Sequence, residues 1–201
     1  MAAYLRGVTE ALDALRVERF ALYGFSTGAA LAMALARQMP QRVSHLILSG
    51  VPYWAPGEIE QFKSQVGRRE LGGNGEYFIR VWQSMAYIAP TPDLRPQLHM
   101  AVVEALRVYD HYLDGLIAVT DYDLRPELAA ATCPVLLLSS ADDKLRPFTE
   151  RAAAALPHAP YTMFAGSHSH LPWTAPVLFA DHVRAFMADR YHDAGRAPRQ
   201  A

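Results

Sequence analysis

The chain has 201 residues, 51% of them hydrophobic and 19% charged, and its 19 Lys and Arg against 20 Asp and Glu leave a formal charge of -1. That length and apolar content predict one domain whose core buries roughly 70% of the unfolded surface, and they exclude an intrinsically disordered chain. The balanced charge excludes an electrostatic footprint for nucleic acid or an anionic membrane, and a lone cysteine, Cys133, excludes a disulfide framework or a cysteine-based zinc site. The first twenty residues hold no uninterrupted apolar run of a signal peptide, and the longest run of apolar and small residues, Ala29 to Ala36, is too short to span a bilayer. A soluble protein of the reducing cytoplasm is expected.

In chain order, Leu5, Val8, Leu12 and Leu15 recur at helical spacing and predict an amphipathic first helix. Phe20 to Tyr23 reads as a short buried strand ending at Gly24, Gly28 to Met39 as a helix stopped by Pro40, and Val43 to Leu48 as a second strand. Strand, helix and strand with short connections predict a parallel sheet. From Tyr53 to about Ala130 the strand signal gives way to helical stripes: Phe78, Val81, Trp82 and Met85, then Leu98, Val102, Ala105, Tyr109, Tyr112 and Leu116. The glycines at 72, 73 and 75 and the prolines at 90 and 92 separate them. The aromatic side chains of this insertion either pack it onto the core or line an apolar pocket. Val135 to Leu138 resumes the sheet, Phe148 to Leu156 predicts a helix, Tyr161 to Phe164 a last strand, and Phe179, Val183, Phe186 and Met187 a final helix with Pro176 in its first turn. The expected strands lie near 19–24, 43–49, 134–139 and 160–165, adjacent in that order. The organisation expected is a core over 1–52, a helical cap over 53–130, the rest of the core over 131–192, and a flexible tail over 193–201.

Gly24-Phe25-Ser26-Thr27-Gly28 stands between the first strand and the second helix, where a G-x-S-x-G turn raises its serine above the sheet. A side chain at either glycine is expected to collide with the crossing strand or helix. An oxyanion formed at Ser26 would face the positive end of that helix. A serine nucleophile needs a base, and the base an orienting acid. Asp142 and Asp143 follow the third strand and are both candidates for the acid; His168 and His170 follow the fourth and are both candidates for the base. The two histidines could instead bind metal with Asp181 or His182, but no second ligand cluster supports that and no metal is expected.

These segments resemble the α/β-hydrolase fold superfamily, and in particular its cap-bearing esterases and C–C hydrolases. GFSTGAALAMALARQMPQRVSHLILSG is similar to the family's serine turn, helix and next strand. CPVLLLSSADDKLRP is similar to its acid-bearing strand, with Ser140 at a position usually held by Gly and the register placing the acid on Asp143. AGSHSHLPWTAPVLFADHVRAFM is similar to its terminal histidine loop; counting from Phe164 favours His168, counting back from Leu171-Pro172 favours His170. The resemblance implies a parallel sheet of about four strands with flanking helices, and a serine hydrolase acting on an ester, thioester or related acyl bond. Ser26 would be the nucleophile, Asp143 the orienting acid, His168 or His170 the base, and the Thr27 N–H an oxyanion donor. Phe25, Tyr53, Trp54 and Trp82, with Tyr87, would contact an apolar small-molecule substrate, with no cofactor required.

Family members normally begin with about four further strands, one of which leads into a loop that donates a second oxyanion N–H. The present sequence opens after that point. Phe20–Tyr23 is therefore expected at a sheet edge prone to self-association. A start internal to a longer protein, a degenerate fragment and a partner that fills the gap all fit this pattern. The alternative to an enzyme is a non-catalytic remnant of the fold serving as a binding module.

Overall fold

The computed structural model describes residues 1–65, 73–86, 91–108, 111, 113–166 and 170–188. Strands β1 (Phe20–Phe25), β2 (Val43–Ser49), β3 (Val135–Ser140) and β4 (Tyr161–Phe164) form one parallel sheet in the order β1-β2-β3-β4. Each parallel step needs a crossover. Helix α2 (Thr27–Gln38) joins β1 to β2 and α8 (Arg146–Ala155) joins β3 to β4. The β2–β3 connection carries α3 (Pro56–Gln65), α4 (Glu76–Met85), α5 (Arg95–Arg107), α6 (Asp114–Thr120) and α7 (Arg125–Ala129). Helix α1 (Ala2–Ala14) precedes the sheet; α9 (Leu171–Thr174) and α10 (Pro176–Met187) follow it.

A sheet covered on both faces needs apolar residues at successive positions rather than at alternate ones. Every residue of β3 is buried. Leu46, Leu48 and Leu137 pack on one face against Ala29, Ala30 and Met33 of α2 and Ala152 of α8. Ile47, Leu136 and Leu138 pack on the other against Phe164, Leu171 and Phe186. The alanines of α2 let it lie close to the sheet, which is why so bland a sequence builds the centre of the core. β1 is the edge strand, and Tyr23 is 37% exposed.

The four strands fall within a residue of their expected positions, and the described part of 53–130 contributes helices and no strand. Three local readings change. In α4 the buried face is Tyr77, Val81 and Met85, packed on Leu98, Val102 and Ala105 of α5, while Phe78 and Trp82 are exposed. Val81 and Met85 fit both faces, so the stripe was ambiguous by one residue. The second stripe is two helices, because α5 ends at Arg107 and Leu116 belongs to α6; Tyr109 and Tyr112 lie outside the described residues. In α1 no side chain is fully buried and Leu15 is 73% exposed. The 193–201 tail lies outside the described residues.

The segment leaving β2 is tied to α8 at two points. The Val51 N–H donates to Thr149 Oγ1 at 2.9 Å, deep in the core, and that hydroxyl donates to the Leu145 carbonyl at 3.1 Å. Arg151 reaches the Tyr53 carbonyl at 3.2 Å and both carboxylate oxygens of Glu58 at 2.6 and 3.0 Å. Thr149→Val keeps the shape but strands the Val51 N–H, so it should lower unfolding free energy by about 1–3 kcal/mol, and Thr149→Ser should restore most of it. Urea titrations of the two variants measure this.

Candidate active site

β1 runs directly into α2 through Ser26, whose backbone sits at φ 53° and ψ −119°. A non-glycine residue there stores roughly 1–3 kcal/mol of strain, held only because the flanking strand and helix are fixed. The Ser26 N–H is anchored on the Ser49 carbonyl at 3.2 Å, and the Ser26 carbonyl takes the Ala29 amide at 2.9 Å. Gly24 permits the crossing: a Cβ there would overlap the Gly28 carbonyl and lie 2.7 Å from the Ala29 Cα. The second glycine differs from expectation. A Cβ on Gly28 meets open space, because that position of α2 faces away from the crossing strand. Only the first glycine is sterically required.

Asp143 follows β3 and is 7% exposed, while Asp142 is exposed. Its Oδ1 accepts the Leu145 N–H at 2.8 Å. Burial pushes the carboxyl above its ordinary pKa, and the Leu145 amide opposes this in part. Gly50, at φ +55°, makes room for the cluster: a Cβ there would lie 2.6 Å from the Phe25 ring and 3.2 Å from Asp143 Oδ2. Beside it the Tyr23 hydroxyl and Ser49 Oγ are 2.7 Å apart. Burial pushes the Tyr23 phenol up to about 12; the Ser49 contact opposes the shift and the charge of Asp143 adds to it.

Of the two candidate histidines, His168 lies outside the described residues. His170 caps the start of α9 in a left-handed conformation, φ 67°. Its ring lies 4.1 Å from the Phe25 ring and stacks at 5.2 Å on Trp173. Its buried Nδ1 has no hydrogen-bond partner among the described residues. Burial lowers its pKa to about 4, so the imidazole is neutral at neutral pH and its protonated form is disfavoured. Phe25 thus contacts His170 and lines the same cavity as Asp143.

Ser26 and Asp143 open onto one cavity of about 230 Å³, lined also by Phe25, Thr27, Trp54, Phe62, Leu116 and Val119. Trp54 stacks on Phe62 with ring centroids 4.9 Å apart. Helix α6 reaches the serine turn directly, since a Cβ on Gly115 would lie 3.3 Å from the Thr27 methyl. Of the expected substrate contacts, Phe25 and Trp54 line this cavity. Tyr53 borders a separate crevice instead, and Trp82 is 43% exposed on α4. Phe62, Leu116 and Val119 were missed; in sequence they read as ordinary helix-packing positions. Among the described residues no group of three or more His, Cys, Asp or Glu is placed to hold a metal, and no helix is long and apolar enough to cross a membrane.

The chain is similar to known proteins along most of its length. Residues 1–182 match the model of the alpha/beta hydrolase family. The chain is 30% identical over 200 residues to a homoserine O-acetyltransferase of Deinococcus radiodurans, covering 88% of this chain and 60% of that protein. It is 31% identical over 186 residues to a pimeloyl-acyl-carrier-protein methyl ester esterase of Vibrio parahaemolyticus, covering 86% of this chain and 71% of that one. The crystal structure of a hydrolase from Pseudomonas aeruginosa PA01 superposes with a TM-score of 0.71 at 24% identity, over 91% of this chain and 70% of that one. The chain therefore spans well under the full length of these relatives.

A carboxyl whose pKa is raised by folding favours the folded state below its unfolded pKa, and that advantage is lost as pH rises through the folded value. Asp143→Asn removes the buried charge and keeps an acceptor for Leu145. It should raise the melting temperature at pH 7, with a gain that shrinks toward pH 3; equal gains at both pH values would contradict the desolvation of Asp143.

Proposed function

The chain belongs to the alpha/beta hydrolase family, and from this we propose that it is a serine hydrolase cleaving an ester, thioester or related acyl bond of a small molecule. The observation that carries the reading is the strained Ser26 at the N-terminus of α2, opening onto the cavity that Asp143 also lines. In this reading Ser26 Oγ attacks the acyl carbonyl while a histidine, His170 or His168, takes its proton. In the reacting complex Asp143 would hold the imidazole's tautomer and stabilise the imidazolium; among the described residues it makes no hydrogen bond to His170, whose Nδ1 is unpartnered. The Thr27 N–H and the positive end of α2 face the developing oxyanion. The histidine then returns the proton to the leaving group, and water repeats the sequence on the acyl-enzyme. The insertion acts as a cap, with α3 and α6 roofing the cavity. The chemistry requires no cofactor or metal. A cytoplasmic setting without nucleic acid or membrane partners completes the reading. The unpaired side of β1 supports self-association, which sedimentation analysis measures.

A reactive aryl phosphonate should label Ser26 covalently, and Ser26→Ala should abolish the labelling. Asp143→Asn should slow it by about 10³–10⁴-fold. The base is identified by pH and by substitution: with His170 as base the labelling rate falls only as pH drops toward about 4, the value its burial imposes. Loss of Ser26 labelling in His168→Ala, with His170→Ala still labelled, assigns the base to His168. Absence of any Ser26-dependent labelling would favour the non-catalytic binding module.

A further inference from the structure

Beside the Ser26 cavity lies a second one of about 240 Å³, lined by Phe62, Lys63, Leu116, Ile117, Thr120 and Asp121. Phe62 and Leu116 line both, so the two cavities share a wall of two apolar side chains from α3 and α6. The polar groups of the second cavity are already paired with one another. Lys63 Nζ lies 2.7 Å from Asp121 Oδ1, and Thr120 Oγ1 donates to the Ile117 carbonyl at 2.9 Å. An alkyl chain would leave these contacts intact and gain the faces of Phe62, Leu116 and Ile117. What this cavity offers is mostly apolar surface, separated from the Ser26 cavity by the side chains of Phe62 and Leu116.

We propose that the second cavity receives the far end of a linear apolar chain whose carbonyl lies at Ser26, so that the substrate class is medium-chain acyl compounds and Phe62, Leu116 and Ile117 set the chain length. The inference rests on the reading of Ser26 as an acyl nucleophile. A short acyl group fits within the first cavity. Additional methylenes pass the Phe62–Leu116 wall into the second, each raising affinity by up to about fourfold as it leaves water.

Equilibrium dialysis of methyl butanoate and methyl octanoate against the Ser26→Ala chain tests this without turnover. The octanoate should bind at least about tenfold more tightly. Ile117 is 47% exposed and, of these two cavities, borders the second and not the first. Ile117→Trp in the same background should cut the ratio to below about threefold. Ile117→Phe, a milder change that guards against misfolding, should give an intermediate ratio. Equal binding of the two esters, or a ratio that both substitutions leave intact, overturns the inference. Phosphonate labelling reports separately on the nucleophile, so a failed ratio with Ser26 still labelled overturns this inference alone.

Discussion

Everything at the site depends on how closely β1 and α2 cross. The absence of a side chain at Gly24 lets the Gly28 carbonyl and the Ala29 Cα come within what would be overlap distance of a Cβ. That contact turns the chain in the space of one residue and leaves Ser26 with a positive φ that serine does not choose. The strain cannot relax. Gly24 is registered against Leu48 in the sheet, and α2 is pinned by Ala29 and Ala30 at zero exposure. A tightly packed, alanine-lined helix and a raised serine are therefore two results of one steric fact. The same crossing sets the N-terminal amides of α2 beside the serine, supplying positive potential without any charged side chain.

The second theme is desolvation. Asp143 and His170 are both drawn out of water, and burial moves their pKa values in opposite directions, the acid upward and the base down to about 4. The Asp143 shift costs stability at neutral pH, where the carboxyl would otherwise be charged, while the His170 shift costs stability only in acid. For His170 the depressed value means that stability present above the unfolded pKa of about 6.5 is lost as pH falls toward 4. A site built for stability alone would place asparagine and leucine at these positions. Asp143, which burdens the fold at neutral pH and faces the cavity, is a candidate for chemistry rather than packing.

Most of the fold could be read from the sequence because its signals are local. The strands are short apolar runs between glycine, proline and serine breakers, and the parallel order follows from the helices between them. The serine turn was legible because its motif and its strand–helix context coincide at Ser26, and of the two acidic candidates Asp143 is the buried one. What failed was information carried by tertiary contact. Tyr77 and Phe78 fit the stripe of α4 equally well, and only the facing Leu98 and Val102 of α5 decide between them. Gly28 resembles Gly24 in the motif, yet only Gly24 lies under a crossing backbone. Phe62, Leu116 and Val119 carry no signature at all, since a residue that lines a cavity and one that packs a helix are the same residue type at the same spacing.

The floor and the roof of the cavity are held by different forces. The floor is β1, α2 and the end of β3, fixed by sheet hydrogen bonds and by side chains with almost no exposure. The roof helix α3 has no fully buried position among its described side chains. It is held by the Trp54–Phe62 stack and by two exposed ion pairs, Glu58 with Arg151 of α8 and Lys63 with Asp121 at the end of α6. Exposed pairs of this kind contribute about 0–1 kcal/mol each and weaken with salt. Local opening should therefore begin at the roof while the serine turn stays in place. If Ser26 is the acyl nucleophile as proposed, such a division would keep the reacting groups in fixed positions while the wall that meets the variable part of a substrate adjusts, and substitutions in α3 and α6 would change selectivity without disturbing the strained turn beneath them.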